Sequence, residues 1–149
     1  MIKEFKGQER IFSNFWKPSD WFASTEIIKM KYTVEHRFQA WKAENAIEGF
    51  LILMADTPGK AKNLGKLCKM RKDWNNIKVS IMEMLVKEKF SDPWLKEQLL
   101  STNSEELQEG NWWHDNFWGT CMCKKCGDKG ENNLGKILMQ LRNDLKGDL

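Results

Sequence analysis

Tyr32-Thr33-Val34-Glu35-His36-Arg37-Phe38-Gln39-Ala40-Trp41-Lys42-Ala43 is the stretch on which a helical reading of the chain turns. Wound at about 100° per residue, it sets Tyr32, Glu35, Gln39 and Lys42 within about 80° of one another. Val34, Phe38 and Trp41 form a separate apolar stripe about a quarter-turn away. The first stripe would place a phenol, a carboxylate, an amide and an ammonium along one wall of a cleft. The second would hold that wall against the core. On spacing alone a solvated helix face is the better reading, because charged helix faces usually meet water.

Outward from this stretch, the spacing predicts further helices. Ile47 to Met54 is apolar enough for a buried helix. Thr57 suits an N-cap and Pro58 a first helical position, for a helix from Pro58 to about Leu67. Asp73 is expected to cap a helix from Trp74 to about Phe90, with Ile77, Ile81, Met84 and Leu85 on its core face. Asp92-Pro93 opens another, with Leu95, Leu99 and Leu100 inward. The last begins near Asn132, where Leu134, Ile137, Leu138, Leu141 and Leu145 recur at helical spacing. Residues 1–31 read as short strands or extended loop, with a turn at Lys17-Pro18-Ser19-Asp20. Residues 105–109 fit a short strand or a helical turn.

The expected fold is mainly α, a single domain over residues 1–149 with a few short N-terminal strands. The 149 residues suit one domain and are enough to bury a core. The net charge of +3, from 24 basic and 21 acidic residues, neither implies nor excludes nucleic-acid binding. No apolar run of about 18 residues predicts a membrane span. The N-terminus lacks a signal-peptide pattern, so a cytoplasmic protein is expected. Its four cysteines are then read as thiols or metal ligands rather than disulfides.

Eight tryptophans leave rings to spare for stacking on a flat ligand. Phe12-Ser13-Asn14-Phe15 fits a loop anchored by its rings while Ser13 and Asn14 reach a ligand. Asn111 to Gly119 has no periodicity and is dense in aromatics around Asp115, so an ordered loop over the core or lining a cleft is expected. Cys121-x-Cys123-x-x-Cys126 could hold zinc if Cys68 or His114 supplied a fourth ligand. There is one cluster where a confident site has two, so a thiol-bearing loop without metal is preferred.

A P-loop, a dinucleotide fingerprint and a nucleophile elbow are absent. His36 and His114 have no obvious serine or cysteine partner, which argues against a hydrolytic triad. Carboxylates, amides, a lysine and indoles remain. Among several chemistries that such a set allows, they suit cleavage of a C1′–N bond, where a carboxylate stabilises an oxocarbenium-like state and an acid assists departure of the base. Trp74 or Trp118 could stack on that base, and a lysine could form a Schiff base with the opened sugar.

Phe5-x-Gly7, Phe12-Ser13-Asn14-Phe15, Tyr32-x-x-Glu35-His36-x-x-Gln39-x-x-Lys42, and Ala55-x-Thr57-Pro58-x-x-Ala61-Lys62-x-x-Gly65 follow one another in the chain. Asp73-Trp74, Met82, Lys89-Phe90, Leu99-Leu100-x-Thr102, Leu107-x-Glu109, Asp115-x-x-Trp118-Gly119 and Gly130-x-Asn132-x-Leu134-Gly135-x-x-Leu138-Met139-x-x-Arg142 complete the set. In this order the chain resembles the NADAR family of YbiA-like N-glycosidases over nearly its whole length. The resemblance implies a mainly helical fold and no cofactor. It implies Glu35, Lys42 and Asp115 as catalytic residues, with Ser13, Asn14, Gln39, Trp74, Trp118, Gly119, Asn132 and Gly135 lining the site.

One branch of the family removes ADP-ribose from guanine in nucleosides or nucleic acid. Another cleaves phosphorylated ribosylamino-pyrimidine intermediates of riboflavin synthesis. The lysines near residues 60–72 and the aromatic loop tilt the expectation to ADP-ribosyl-guanine. A non-catalytic ADP-ribose or NAD binding module is the reading from another class, and intact Glu35, Lys42 and Asp115 argue against it. The cysteines stand where many members have a short glycine-rich link, and Phe12 where leucine is usual.

Overall fold

A computed structural model describes residues 1–17 and 32–147. Among them are a 3-10 helix, Gly7–Phe12, and six α-helices: α1 (Val34–Lys42), α2 (Ala46–Leu53), α3 (Pro58–Leu67), α4 (Trp74–Lys89), α5 (Pro93–Ser101) and α6 (Asn133–Gly147). Two-residue strands β1 (Gly110–Asn111) and β2 (Thr120–Cys121) pair in parallel, Gly110 opposite Thr120 and Asn111 opposite Cys121. The fold is mainly α. The chain falls into two compact units, Asn14–Asp92 and Met1–Ser13 with Pro93–Leu149.

In the unit Asn14–Asp92, α1 is the centrepiece and packs on α2, α3 and α4. Its start is fixed by local chemistry. The Thr33 hydroxyl accepts the His36 N–H at 3.2 Å, and the Asn14 carbonyl accepts the Glu35 N–H at 3.1 Å. Two of the amides a helix start leaves without an intrahelical partner are thereby satisfied. Val34 and Phe38 are buried as the apolar stripe requires, with the Phe38 ring 4.9 Å from that of Trp74. Trp41 departs from the stripe. It is 42% exposed, with the Arg71 guanidinium 5.9 Å from its ring centre.

Helix α3 begins as expected, Thr57 accepting the Lys60 N–H at 3.1 Å and Pro58 opening the helix. Helix α2 overturns the buried reading. Ile52 is buried, but Ile47 is 75% exposed and Phe50 and Leu51 also face out. An apolar run says that a helix can be buried on every side, whereas among the described elements α2 packs mainly on α1 and α3. Asp73 stands at the N-cap of α4 without capping through its side chain. Its carboxylate takes the Arg71 guanidinium in a fork of 2.7 and 3.0 Å. That pairing lowers the Asp73 pKa and raises that of Arg71.

In the other unit, α5 packs on α6. Leu134, Leu138 and Leu141 are buried along α6, and Leu95 and Leu99 along α5. Buried Arg142 donates to the Thr102 hydroxyl at 2.7 Å and the Glu105 carbonyl at 2.9 Å. Burial lowers its pKa, with the Glu105 charge acting the other way.

The short strands lie in this unit rather than near the N-terminus. Among the described N-terminal residues the chain turns into the 3-10 helix, which brings the Phe5 and Phe12 rings edge to face at 5.7 Å. Residues 105–109 form neither a helical turn nor a named strand, and Ile2 bridges in parallel to Leu107. The expected turn at Lys17-Pro18-Ser19-Asp20 and the pairs Trp21-Phe22 and Ile27-Ile28 reach outside the described residues.

Candidate functional site

Helix α1 places Glu35, Gln39 and Lys42 along one stripe. Glu35 is 6% exposed, so the stripe is no solvated face. Gln39, one turn on and also buried, donates from Nε2 to Glu35 Oε1 at 2.8 Å. A carboxylate accepts hydrogen bonds, so the amide nitrogen must face it. Gln39 Oε1 is thereby turned away, and no hydrogen-bond partner meets it among the described residues.

Gly65 of α3 makes room for that amide. A Cβ at Gly65 would stand 2.0 Å from Gln39 Oε1 and 3.0 Å from Gln39 Cβ. Glycine inside a helix costs about 1 kcal/mol relative to alanine. Here it lets α3 approach the face of α1 that carries the acid. Lys42, half-buried, is seven residues from Glu35, about 10 Å along the axis. Its charge also reaches Cys68, whose thiol is pushed up by burial and partly drawn back by Lys42.

Asn14 joins this group. Its carbonyl holds the Glu35 N–H, and its buried amide donates to Met82 Sδ at 3.5 Å. Tyr32 precedes the helix, and its hydroxyl turns to Met54 Sδ at 3.7 Å. Trp74 is 4% exposed, which leaves little of its ring to meet a ligand. His36 has a structural role, with Nε2 2.9 Å from the Ala55 carbonyl and Nδ1 2.8 Å from the Thr33 hydroxyl. The carbonyl can only accept, so Nε2 carries the proton and the Thr33 hydroxyl donates to Nδ1. A separate groove of about 390 Å³ runs beside Trp41, Phe50 and Arg71 and includes none of the expected site residues.

The remaining expected residues lie in the other unit. Ser13 closes the 3-10 helix, its N–H donating to the Arg10 carbonyl at 3.0 Å. Half-buried Asp115 accepts the N–H groups of Phe117 and Trp118 through Oδ1, at 3.2 and 2.9 Å. The half-buried Trp118 ring meets Phe117 edge to face at 4.9 Å. Trp112 and Trp113 are exposed, contrary to a loop folded wholly onto the core.

Asn132 donates to the Leu107 carbonyl at 2.9 Å and accepts the Glu109 N–H at 3.0 Å. Both ends of its amide are thus committed to backbone. A Cβ on Gly119 would stand 2.1 Å from the Glu109 carbonyl, and one on Gly135 2.2 Å from the Leu107 carbonyl. Asn132, Gly119 and Gly135 therefore converge on one seam along residues 107–109.

Two residues that bear on the sites were missed by sequence reasoning. Asn111 is fully buried. It donates to the Asp115 carbonyl at 2.7 Å and accepts the Asp115 N–H at 3.1 Å, so it shapes the loop around that acid. Lys89 is 2% exposed, its ammonium 5.4 Å from the Trp16 ring centre and 5.2 Å from that of Phe90. Lysine is rarely buried so completely. Its place beside Phe90 in the family pattern was the available signal.

These features define a small helical protein with a carboxylate–amide pair sunk into its first α-helix. It belongs to the NADAR family, as residues 2–146 match the family model described as NADAR domain. The chain is 38% identical over 120 residues to the N-glycosidase Npun_R5314 of Nostoc punctiforme, covering 76% of this chain and 74% of that one. It is 36% identical over 132 residues to the riboflavin biosynthesis protein PYRR of Zea mays, covering 77% of this chain but 20% of that protein. The NMR structure of the E. coli protein YbiA aligns with a TM-score of 0.76 and 28% identity, over 99% of this chain and 84% of that chain. No helix among the described residues is long and apolar enough to cross a membrane.

Proposed function

We propose that this chain, a hydrolase acting on N-glycosyl bonds as its family implies, removes ADP-ribose from ADP-ribosylated guanine by hydrolysing a C1′–N bond. The observation that carries the reading is Glu35, a buried carboxylate held by a neighbouring amide. A carboxylate taken out of water is costly unless something compensates it. In this role Glu35 stabilises the positive charge that develops at C1′ and the ring oxygen as the base departs. Water then supplies hydroxide to C1′, and the base leaves with a proton. Lys42 provides an ammonium for the anionic part of the substrate. Its other available role is a Schiff base with the opened sugar, which borohydride trapping during turnover tests directly.

Asp115 is the second carboxylate of the proposal, oriented by the two amides that Oδ1 accepts. Ser13, Asn14 and Trp118 are assigned to substrate contact. Gln39 and Trp74 are assigned to support of the α1 wall, and Gly119, Asn132 and Gly135 to the backbone seam. The exposed pair Trp112 and Trp113 supports an extrahelical or nucleoside base as ligand. Support from the lysines is weaker, because Lys60 pairs with Asp56 and Lys69 with Glu44.

The second reading, cleavage of phosphorylated ribosylamino-pyrimidines, is favoured by the name of the Zea mays relative. Incubation with each substrate and chromatography of the free base separates the two. Guanine release from ADP-ribosylated guanosine is the expected result. Release only from the pyrimidine substrate transfers the proposal to the second reading. Release from neither, with tight ADP-ribose binding in calorimetry, makes the chain a binding module.

A further inference from the structure

We infer that His114, Cys121, Cys123 and Cys126 hold one zinc ion in a closed, structural site, independent of the glycosidase reading. The loop between the paired strands brings His114. Cys121 lies in β2, and the turn that follows brings Cys123 and Cys126. Their four ligand atoms lie within 4.8 Å of one another, and all four cysteines of the chain are free thiols.

The distances match a metal better than a hydrogen bond. Around a tetrahedral zinc with Zn–S about 2.3 Å and Zn–N about 2.0–2.1 Å, a sulfur and a nitrogen ligand stand about 3.6 Å apart. From His114 Nδ1 the sulfurs lie at 3.1 Å (Cys126), 3.6 Å (Cys123) and 3.8 Å (Cys121). A neutral imidazole nitrogen has one proton or one lone pair to direct. It can serve one sulfur, whereas a cation between the four atoms satisfies all three at once.

The backbone is shaped for the same purpose. His114 takes a left-handed φ of 68°, uncommon for a residue with a Cβ, and so turns its ring to the sulfurs. The Cys123-x-x-Cys126 turn points the Cys126 N–H at Cys123 Sγ, at 3.4 Å, and closes with Gly127 at φ 63°. Asn116 Nδ2 stands 3.8 Å from Cys126 Sγ. Such N–H donors to the ligand sulfurs form the outer layer that steadies metal thiolates.

Charge and access agree. Zinc with three thiolates and a neutral histidine carries a net charge of −1, and the exposed Lys124 and Lys125 lie between two of the ligands in sequence. Binding releases the three thiol protons to solvent. Exposed His114 and half-buried Cys123 and Cys126 leave an entry path, while Cys121 is buried. Four protein ligands leave no open position, which marks a structural rather than a catalytic metal. Its effect is to pin the loop on which Asp115 follows His114 directly.

Elemental analysis of untagged protein, purified under reducing conditions without chelator, tests the site. About one zinc per chain is expected, falling below about 0.2 in Cys126→Ser and His114→Asn and unchanged in Cys68→Ser. For variants that fail to fold, the wild type supplies the second measurement. Cobalt(II) chloride added to the reduced apoprotein should give the intense visible bands of a tetrahedral thiolate site, and zinc chloride should raise its melting temperature. Less than about 0.2 zinc in the wild type, together with no cobalt bands and no thermal shift, would overturn the inference. So would a loss of zinc in Cys68→Ser equal to that in Cys126→Ser.

Discussion

Helix α1 and the segment from Leu107 to Gly135 use polar side chains in opposite ways. On α1 the backbone bonds to itself, so Gln39 is left to bond another side chain, Glu35. Between 107 and 135 regular structure amounts to two short strands and the first turn of α6, and side chains join backbone partners in satisfying the main chain. Asn111, Asp115, Asn132 and Asn133 all bond main-chain groups there. The contrast teaches that an Asn or Asp in an irregular segment is first a candidate for scaffolding. A buried acid on a helix has no such duty and is the stronger candidate for chemistry.

Glu35→Gln attacks the α1 side of this contrast most directly. It keeps the shape and removes the charge, and turnover is expected to fall at least about a hundredfold with melting unchanged. A near-normal rate in the folded variant would remove Glu35 from the reaction. Gly65→Ala is the next largest. Its new Cβ must displace the Gln39 amide, and with it the carboxylate, for an expected loss of about thirtyfold in kcat. If Gly65→Ala is fully active, Gln39 does not position Glu35.

Lys42→Met sharpens the role of the half-buried ammonium. A rise of about tenfold in KM with little change in kcat identifies a charge contact, since uniform binding is what has been lost. A collapse of kcat, with borohydride trapping of the wild type, would identify the Schiff base instead. The smallest effect on turnover belongs to Asn132→Gly. It keeps the left-handed backbone at φ 51° and removes the bonds to Leu107 and Glu109. Leaving those groups unpaired costs about 1–3 kcal/mol. Melting should fall by about 5 °C, with activity per folded molecule within about twofold.

Much of the fold was legible because local chemistry decides it. Thr57-Pro58 announces the start of α3, and the leucine spacing after Asn132 announces α6 in the sequence alone. What could not be read depends on neighbours. The apolar run of α2 looks the same whether one face or every face is covered. Asp73 looked like a cap until Arg71 offered a better partner. The α1 stripe was legible as a stripe, but its burial was not, because no spacing reveals that Gly65 lets another helix close over Gln39. The Cys-x-Cys-x-x-Cys run was legible as soft ligands. His114 completes the set only through its left-handed backbone, which a sequence does not display.

The most direct measurement is kcat per folded molecule for Glu35→Gln and Asn132→Gly, prepared and melted side by side. If chemistry belongs to Glu35 and scaffolding to Asn132, the first variant melts like the wild type and turns over at least about fiftyfold more slowly than the second. Equal rates, or a slower Asn132→Gly at matched folding, would contradict that division.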